Sequence, residues 1–133
     1  MIVEAVFDSG ALMAYVHGVD QVGELLFRAA EDGFAVAVPS TCLIEAYSGL
    51  SFDDEFDMLR VLRLLSVVLI DEPATNVRGP DDLPIIGGMA AKAGRMGAGH
   101  AALTAASLSA AVYTSLPHQI EAVLGKTWPI IEV

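Results

Sequence analysis

A single cysteine, Cys42, stands among 133 residues. That excludes a disulfide-stapled scaffold and a cysteine-based zinc finger. Positive charge is also scarce: 7 Lys and Arg face 17 Asp and Glu, a formal net charge of −10. Broad phosphate-backbone binding needs Lys and Arg to displace counterions, so any nucleic-acid contact must be local, carried by a few cations or a bound metal. No GxxxxGK(S/T), GxGxxG or GxSxG string occurs, leaving P-loop, dinucleotide and nucleophile-elbow readings without support. Charged residues make up only 18% against 54% hydrophobic, a balance that excludes intrinsic disorder. The longest stretch without Asp, Glu, Lys or Arg, Met96 to Ile120, is rich in Gly, Ala, Ser and Thr and broken by His100, Pro117, His118 and Gln119. It reads as a packed helix and a buried strand rather than a membrane span. The start, Met1-Ile2-Val3-Glu4, has no basic leader, so a cytoplasmic protein without membrane attachment is expected.

What is present is an alternation of short apolar runs and helical patterns. Met1 to Phe7 is a nearly continuous apolar run, the signature of a strand buried on both faces. Asp8-Ser9-Gly10 supplies helix-starting side chains before Ala11 to Val16. Asp20 opens a helix with Val22, Leu25, Leu26 and Ala29 on one face, and Gly33 closes it. Further strands are expected at Ala35–Val38, Val67–Ile70, Ala110–Thr114 and Trp128–Glu132. Helices are expected at Thr41–Ser48, with Leu43, Ile44 and Tyr47 on one side and Glu45 opposite, and from Asp53, with Phe52, Phe56, Leu59, Leu62 and Leu65 as its apolar face. Asn76–Pro84 reads as a loop, Ile85–Met96 and Gly97–Leu108 as helices, and Pro117 opens the last helix. The order predicts one α/β domain over residues 1–133, a three-layer α/β/α arrangement around a central, mainly parallel five-stranded sheet.

Ligands of open parallel sheets gather at the carboxyl ends of the strands. Asp8, Asp71 and the hydroxyls of Thr114 and Ser115 fall at such ends, with Glu45 one turn into the helix after the second strand. Carboxylates converging there would make an oxygen-rich site for Mg²⁺ or Mn²⁺, able to activate water against a phosphodiester. Asp8 is equally suited to be a helix N-cap, and Glu45 to be a solvated residue. Asp71, Glu72, Asp81 and Asp82 flank prolines and read as solvated loop acids. Cys42 reads as a small buried hydrophobe. Among the scattered cations only Lys92 and Arg95 form a local basic spot.

Val6-Phe7-Asp8-Ser9-Gly10-Ala11-Leu12-Met13-Ala14-Tyr15 resembles the opening block of PIN domains, the metal-dependent ribonuclease fold of bacterial toxin–antitoxin modules. Val38-Pro39-Ser40-Thr41-Cys42-Leu43-Ile44-Glu45-Ala46-Tyr47 resembles the second block, with Glu45 as its acid. Gly99 to Ala106 resembles the helix bearing the third acid, and Val112 to Pro117 the strand end that often bears a fourth. The third acid is replaced by His100 and the fourth by Leu116.

The resemblance implies a PIN-like fold, a catalytic set of Asp8, Glu45 and His100, Mg²⁺ or Mn²⁺ on Asp8 and Glu45, an RNA substrate, an antitoxin-like protein partner and a homodimer. His100 has three readings: a substitute ligand, a general base, or a hydrogen-bonded interior residue. Two functions follow, a divergent PIN-type ribonuclease or an inactive PIN-like binding or regulatory module, with the apolar helices between Ile85 and Leu108 offering a partner groove. A phosphoacceptor receiver domain is set aside, because no second acid adjoins Asp8 and Lys126 precedes the last strand rather than following it.

Overall fold

Five short apolar runs form the strands β1 (Val3–Phe7), β2 (Ala35–Pro39), β3 (Val68–Asp71), β4 (Ala111–Thr114) and β5 (Ile130–Glu132). Between them lie the helices α1 (Ser9–Val16), α2 (Asp20–Asp32), α3 (Ser40–Ser48), α4 (Asp53–Leu64), α5 (Leu83–Ala93), α6 (Met96–Leu108) and α7 (Pro117–Leu124). The computed structural model describes every residue from Met1 to Val133. All strand pairings are parallel, in the order β3-β2-β1-β4-β5. The chain moves outward from β1 through β2 to β3, then returns to lay β4 and β5 on the other side. Right-handed crossovers therefore send the earlier and later helices to opposite faces of the sheet, giving the α/β/α layering. The reversal falls between β1 and β4, and α1 starts directly beyond it.

The middle strands are buried as their unbroken apolar runs require: Ala5, Val6, Phe7 and all five residues of β2 are inaccessible or nearly so. At the edge, β3 buries Val68 but leaves Leu69 and Ile70 partly exposed. The charge-free stretch expected as a packed helix is α6, whose buried Ala98, Ala101, Ala102 and Ala105 allow close approach to its neighbours. No helix is long and apolar enough to cross a membrane.

Three expectations change. Ile44 is 69% exposed, because α3 turns Cys42, Leu43 and Ala46 inward instead. On α4, Leu59 and Leu62 are buried, whereas Phe52 lies exposed and Phe56 stacks on Tyr47 outside the core. The third concerns the site. Gly94 adopts the left-handed conformation (φ 91°) and closes α5, so Arg95 sits on extended backbone before α6 and not within a helix.

Candidate functional site

Asp8 leaves β1 at the reversal point and caps α1, its Oδ1 accepting from the Ala11 backbone N–H at 3.0 Å. Such a cap contributes about 1 kcal/mol. Its side chain is buried, and its second oxygen, Oδ2, has no hydrogen-bond partner. Burial raises the carboxyl above its usual value. The Thr114 hydroxyl, the Ala11 N–H and the Arg95 charge oppose that rise without cancelling it. The cap reading and the site reading of Asp8 thus describe two oxygens of one carboxylate. At the same point Gly10 has room for no side chain, since a Cβ there would lie 2.1 Å from Ser115 Oγ and 2.9 Å from its backbone nitrogen. The start of α1 is thereby pressed against the segment that follows β4.

Glu45 reaches the same edge from α3. Ser9 donates its hydroxyl to Glu45 Oε1 at 2.9 Å, and the Gly97 backbone N–H donates to Oε2 at 3.2 Å. Gly97 lies in the first turn of α6, where free N–H groups and the helix dipole favour an anion. Cys42, fully buried beside it, donates its thiol to Gly97 O at 3.1 Å, and burial pushes that thiol's pKa well up. It is the inert small hydrophobe its setting suggested.

The cation at this edge is Arg95. Its Nη2 lies 3.6 Å from Asp8 Oδ2 and its Nε 3.6 Å from Glu45 Oε1, so one guanidinium faces both carboxylates. Sequence reasoning treated Arg95 as half of a surface basic spot with Lys92. The available signal was Gly94, which ends α5 and leaves Arg95 on extended backbone before α6.

His100 is almost completely buried, but it does not join this group. Its Nδ1 pairs with Thr41 Oγ1 at 2.9 Å, and its Nε2 faces Asp71 Oδ2 at 3.5 Å. Thr104, one turn on, donates to Asp71 Oδ2 at 2.6 Å and to His100 O at 3.0 Å. Asp71 is therefore no solvated loop acid, because the end of β3 delivers it to α6. The imidazole contact, followed by the Thr104 hydroxyl, holds its carboxyl below the usual range despite partial burial. Asp82 is also engaged, accepting from the Ala74 N–H at 2.8 Å. Thr114 Oγ1 accepts from the Leu116 N–H at 3.0 Å, and Leu116 itself is partly exposed.

Beside the acid pair opens a groove of about 640 Å³, lined in part by Ser9, Gly10, His17, Glu45, Arg95 and Ser115. No three of the His, Cys, Asp and Glu side chains gather as a metal-binding group. Mg²⁺ and Mn²⁺ need several oxygen donors around a site open to water. Two carboxylates with a guanidinium already between them do not fit such an ion while Arg95 keeps this position.

Neither known protein families nor curated proteins match the sequence. Among solved structures, the crystal structure of PAE2754 from Pyrobaculum aerophilum aligns with a TM-score of 0.61, covering 94% of this chain and 90% of that one at 18% identity. The likeness is one of fold. It extends over nearly the whole α/β domain.

Proposed function

We propose that this chain is a PIN-like domain of the kind built for metal-dependent RNA cleavage, whose own Arg95 has taken the cation's place, so that it acts as a binding or regulatory module. The observation that carries the reading is the single guanidinium 3.6 Å from both Asp8 and Glu45. An internal positive charge relieves the repulsion between two neighbouring acids, the task a metal ion performs in a nuclease. It supplies no bound water, however, and so no nucleophile for a phosphodiester. Two further features support the reading. His100, in the third acid's position, is committed to Thr41 and Asp71, and the charge of −10 opposes RNA. The partner class is then a protein, either an antitoxin-like chain or a second copy of this one.

One observation favours the nuclease reading. Asp8 Oδ2 is buried without a hydrogen-bond partner, and such an oxygen is costly unless a cation meets it closely. A divalent ion that displaced Arg95 would find Asp8 and Glu45 as ligands, beside a groove with the Ser9 and Ser115 hydroxyls.

Calorimetric titration of the wild type and of Asp8→Asn with Mn²⁺ separates the two. The binding-module reading expects no saturable heat up to millimolar Mn²⁺ in either protein, and no metal-dependent cleavage of a fluorogenic RNA. Wild-type binding that disappears in Asp8→Asn would overturn it in favour of the nuclease.

A further inference from the structure

We infer that Arg95 is a displaceable latch: it closes the Asp8–Glu45 pair in the resting protein, and moving it aside opens that pair to a divalent cation. This deepens the reading above, on which it rests, by assigning the closed state to one removable side chain.

The seating of Arg95 is loose. Both of its carboxylate contacts are 3.6 Å, longer than hydrogen bonds, and its buried Nε has no hydrogen-bond partner. Asp8 Oδ2, the oxygen it faces, is also without one. The carboxylates, by contrast, are held by groups other than the arginine. Asp8 Oδ1 is fixed by the Ala11 N–H, and Glu45 by the Ser9 hydroxyl and the Gly97 N–H. Withdrawing the guanidinium leaves those three bonds intact, so the pair stays assembled.

The arginine also has somewhere to go. It follows Gly94 on extended backbone, with φ −156° and ψ 142°, and its side chain is 29% exposed. It borders the groove beside Glu45 and Ser115, and also a second hollow of about 400 Å³ lined by Gly87, Ala90, Ala91, Gly94 and Met96. Small residues dominate that second hollow, so an arginine stem can lie across it with its head in water. A guanidinium carries one positive charge and only donates hydrogen bonds. A divalent ion carries two and binds carboxylate oxygen directly. With the latch withdrawn, the same two acids are free to bind the ion.

The test compares the wild type, Arg95→Ala and Arg95→Gln, each with and without Asp8→Asn, by Mn²⁺ calorimetry and by melting with and without Mn²⁺. The latch predicts Mn²⁺ binding at least about tenfold tighter in the Arg95 variants than in the wild type, with a matching rise in melting temperature. Adding Asp8→Asn should abolish both effects. Folded Arg95 variants that gain no affinity would overturn the latch while leaving the proposed binding module standing. A wild type that binds Mn²⁺ as tightly as its variants would overturn both. Arg95→Gln keeps most of the stem and decides the matter if Arg95→Ala does not fold. Should neither fold, Arg95 is a structural residue and the latch is wrong.

Discussion

Two polar clusters sit a few residues apart, one at the entry to α6 and one within it, and they have been completed in opposite ways. Around Arg95, the contacts to the acids are ion pairs of 3.6 Å, a buried carboxylate oxygen and a buried guanidinium nitrogen lack hydrogen bonds, and a groove opens alongside. Around His100, Thr41 and Thr104 make bonds of 2.9 and 2.6 Å, and α3, α6 and the end of β3 are joined through one buried imidazole. The first arrangement leaves polar atoms under-satisfied beside solvent, where a ligand can still complete them. The second spends most of its polar atoms on holding elements together, with His100 Nε2 alone left 3.5 Å from Asp71 Oδ2 and without a hydrogen bond. The His100 cluster acts as a clamp, and the Asp8–Glu45 cluster remains chemically open.

Breaking the clamp should have the largest effect. His100→Ala removes a buried ring, leaves Thr41 without its partner and frees Asp71 from its imidazole. A loss of about 3 kcal/mol in urea unfolding is expected. His100→Asp should be no milder, since it buries a second carboxylate near Asp71 in place of the imidazole. A His100→Ala protein as stable as wild type would show that the clamp contributes nothing.

The open cluster should respond with the opposite sign. Because the Asp8 carboxyl is raised by burial, its ionised form is disfavoured in the folded chain. The associated stability is fully present below the model-peptide value of 3.8 and is lost as pH rises through the folded value. Asp8→Asn keeps a competent helix cap and cannot ionise, so at pH 7 it should gain about 1 kcal/mol, or roughly 3–5 °C in Tm. The gain should vanish below pH 3.8. A destabilised Asp8→Asn at pH 7 would mean that the Arg95 ion pair outweighs burial.

Asp71 sharpens the contrast, with a smaller effect. Its carboxyl is lowered by the His100 contact and then by Thr104, so its contribution is present above 3.8 and lost as pH falls through the lower folded value. Since its side chain is 41% exposed, screening by solvent limits Asp71→Asn to less than about 1 kcal/mol. The two Asp→Asn variants should therefore differ in sign at pH 7 and both approach wild type in acid, a pattern that paired pH-dependent melts would test.

What could be read from the sequence divides along similar lines. The strands and helices were legible because continuous apolar runs and 3.6-residue spacing follow from burial, and the deviations come where packing chose a different face, as at Ile44 and Phe56. Asp8 and Glu45 could be nominated because one stands at a strand end and the other one turn into the helix after the next strand, where the topology of a parallel sheet gathers functional groups. Arg95 could not, and Asp71, though it stands at a strand end, reads from its flanking residues as a solvated loop acid. Their roles depend on which residues the chain brings alongside them from distant segments, Glu45 for one and Thr104 for the other. No local pattern encodes such a pairing. His100 lay between these cases: its interior, hydrogen-bonded reading was open from the sequence, but its partners were not.

The finest comparison concerns a single hydrogen atom. A Cβ on Gly97 would lie 1.9 Å from Glu45 Oε1, and the obstacle is the end of a flexible side chain and not backbone. Gly97→Ala should therefore leave the fold within about 0.5 kcal/mol of wild type, the helix preference for alanine offsetting the lost contact, while expelling Glu45 from its seat. A stability measurement alone would miss this. A double-mutant cycle between Ser9→Ala and Glu45→Gln reads it directly, with a coupling of about 1 kcal/mol expected in the wild type and almost none in the Gly97→Ala background. An unchanged coupling would mean that Ser9 alone positions Glu45, and that the start of α6 takes no part in holding the acid pair together.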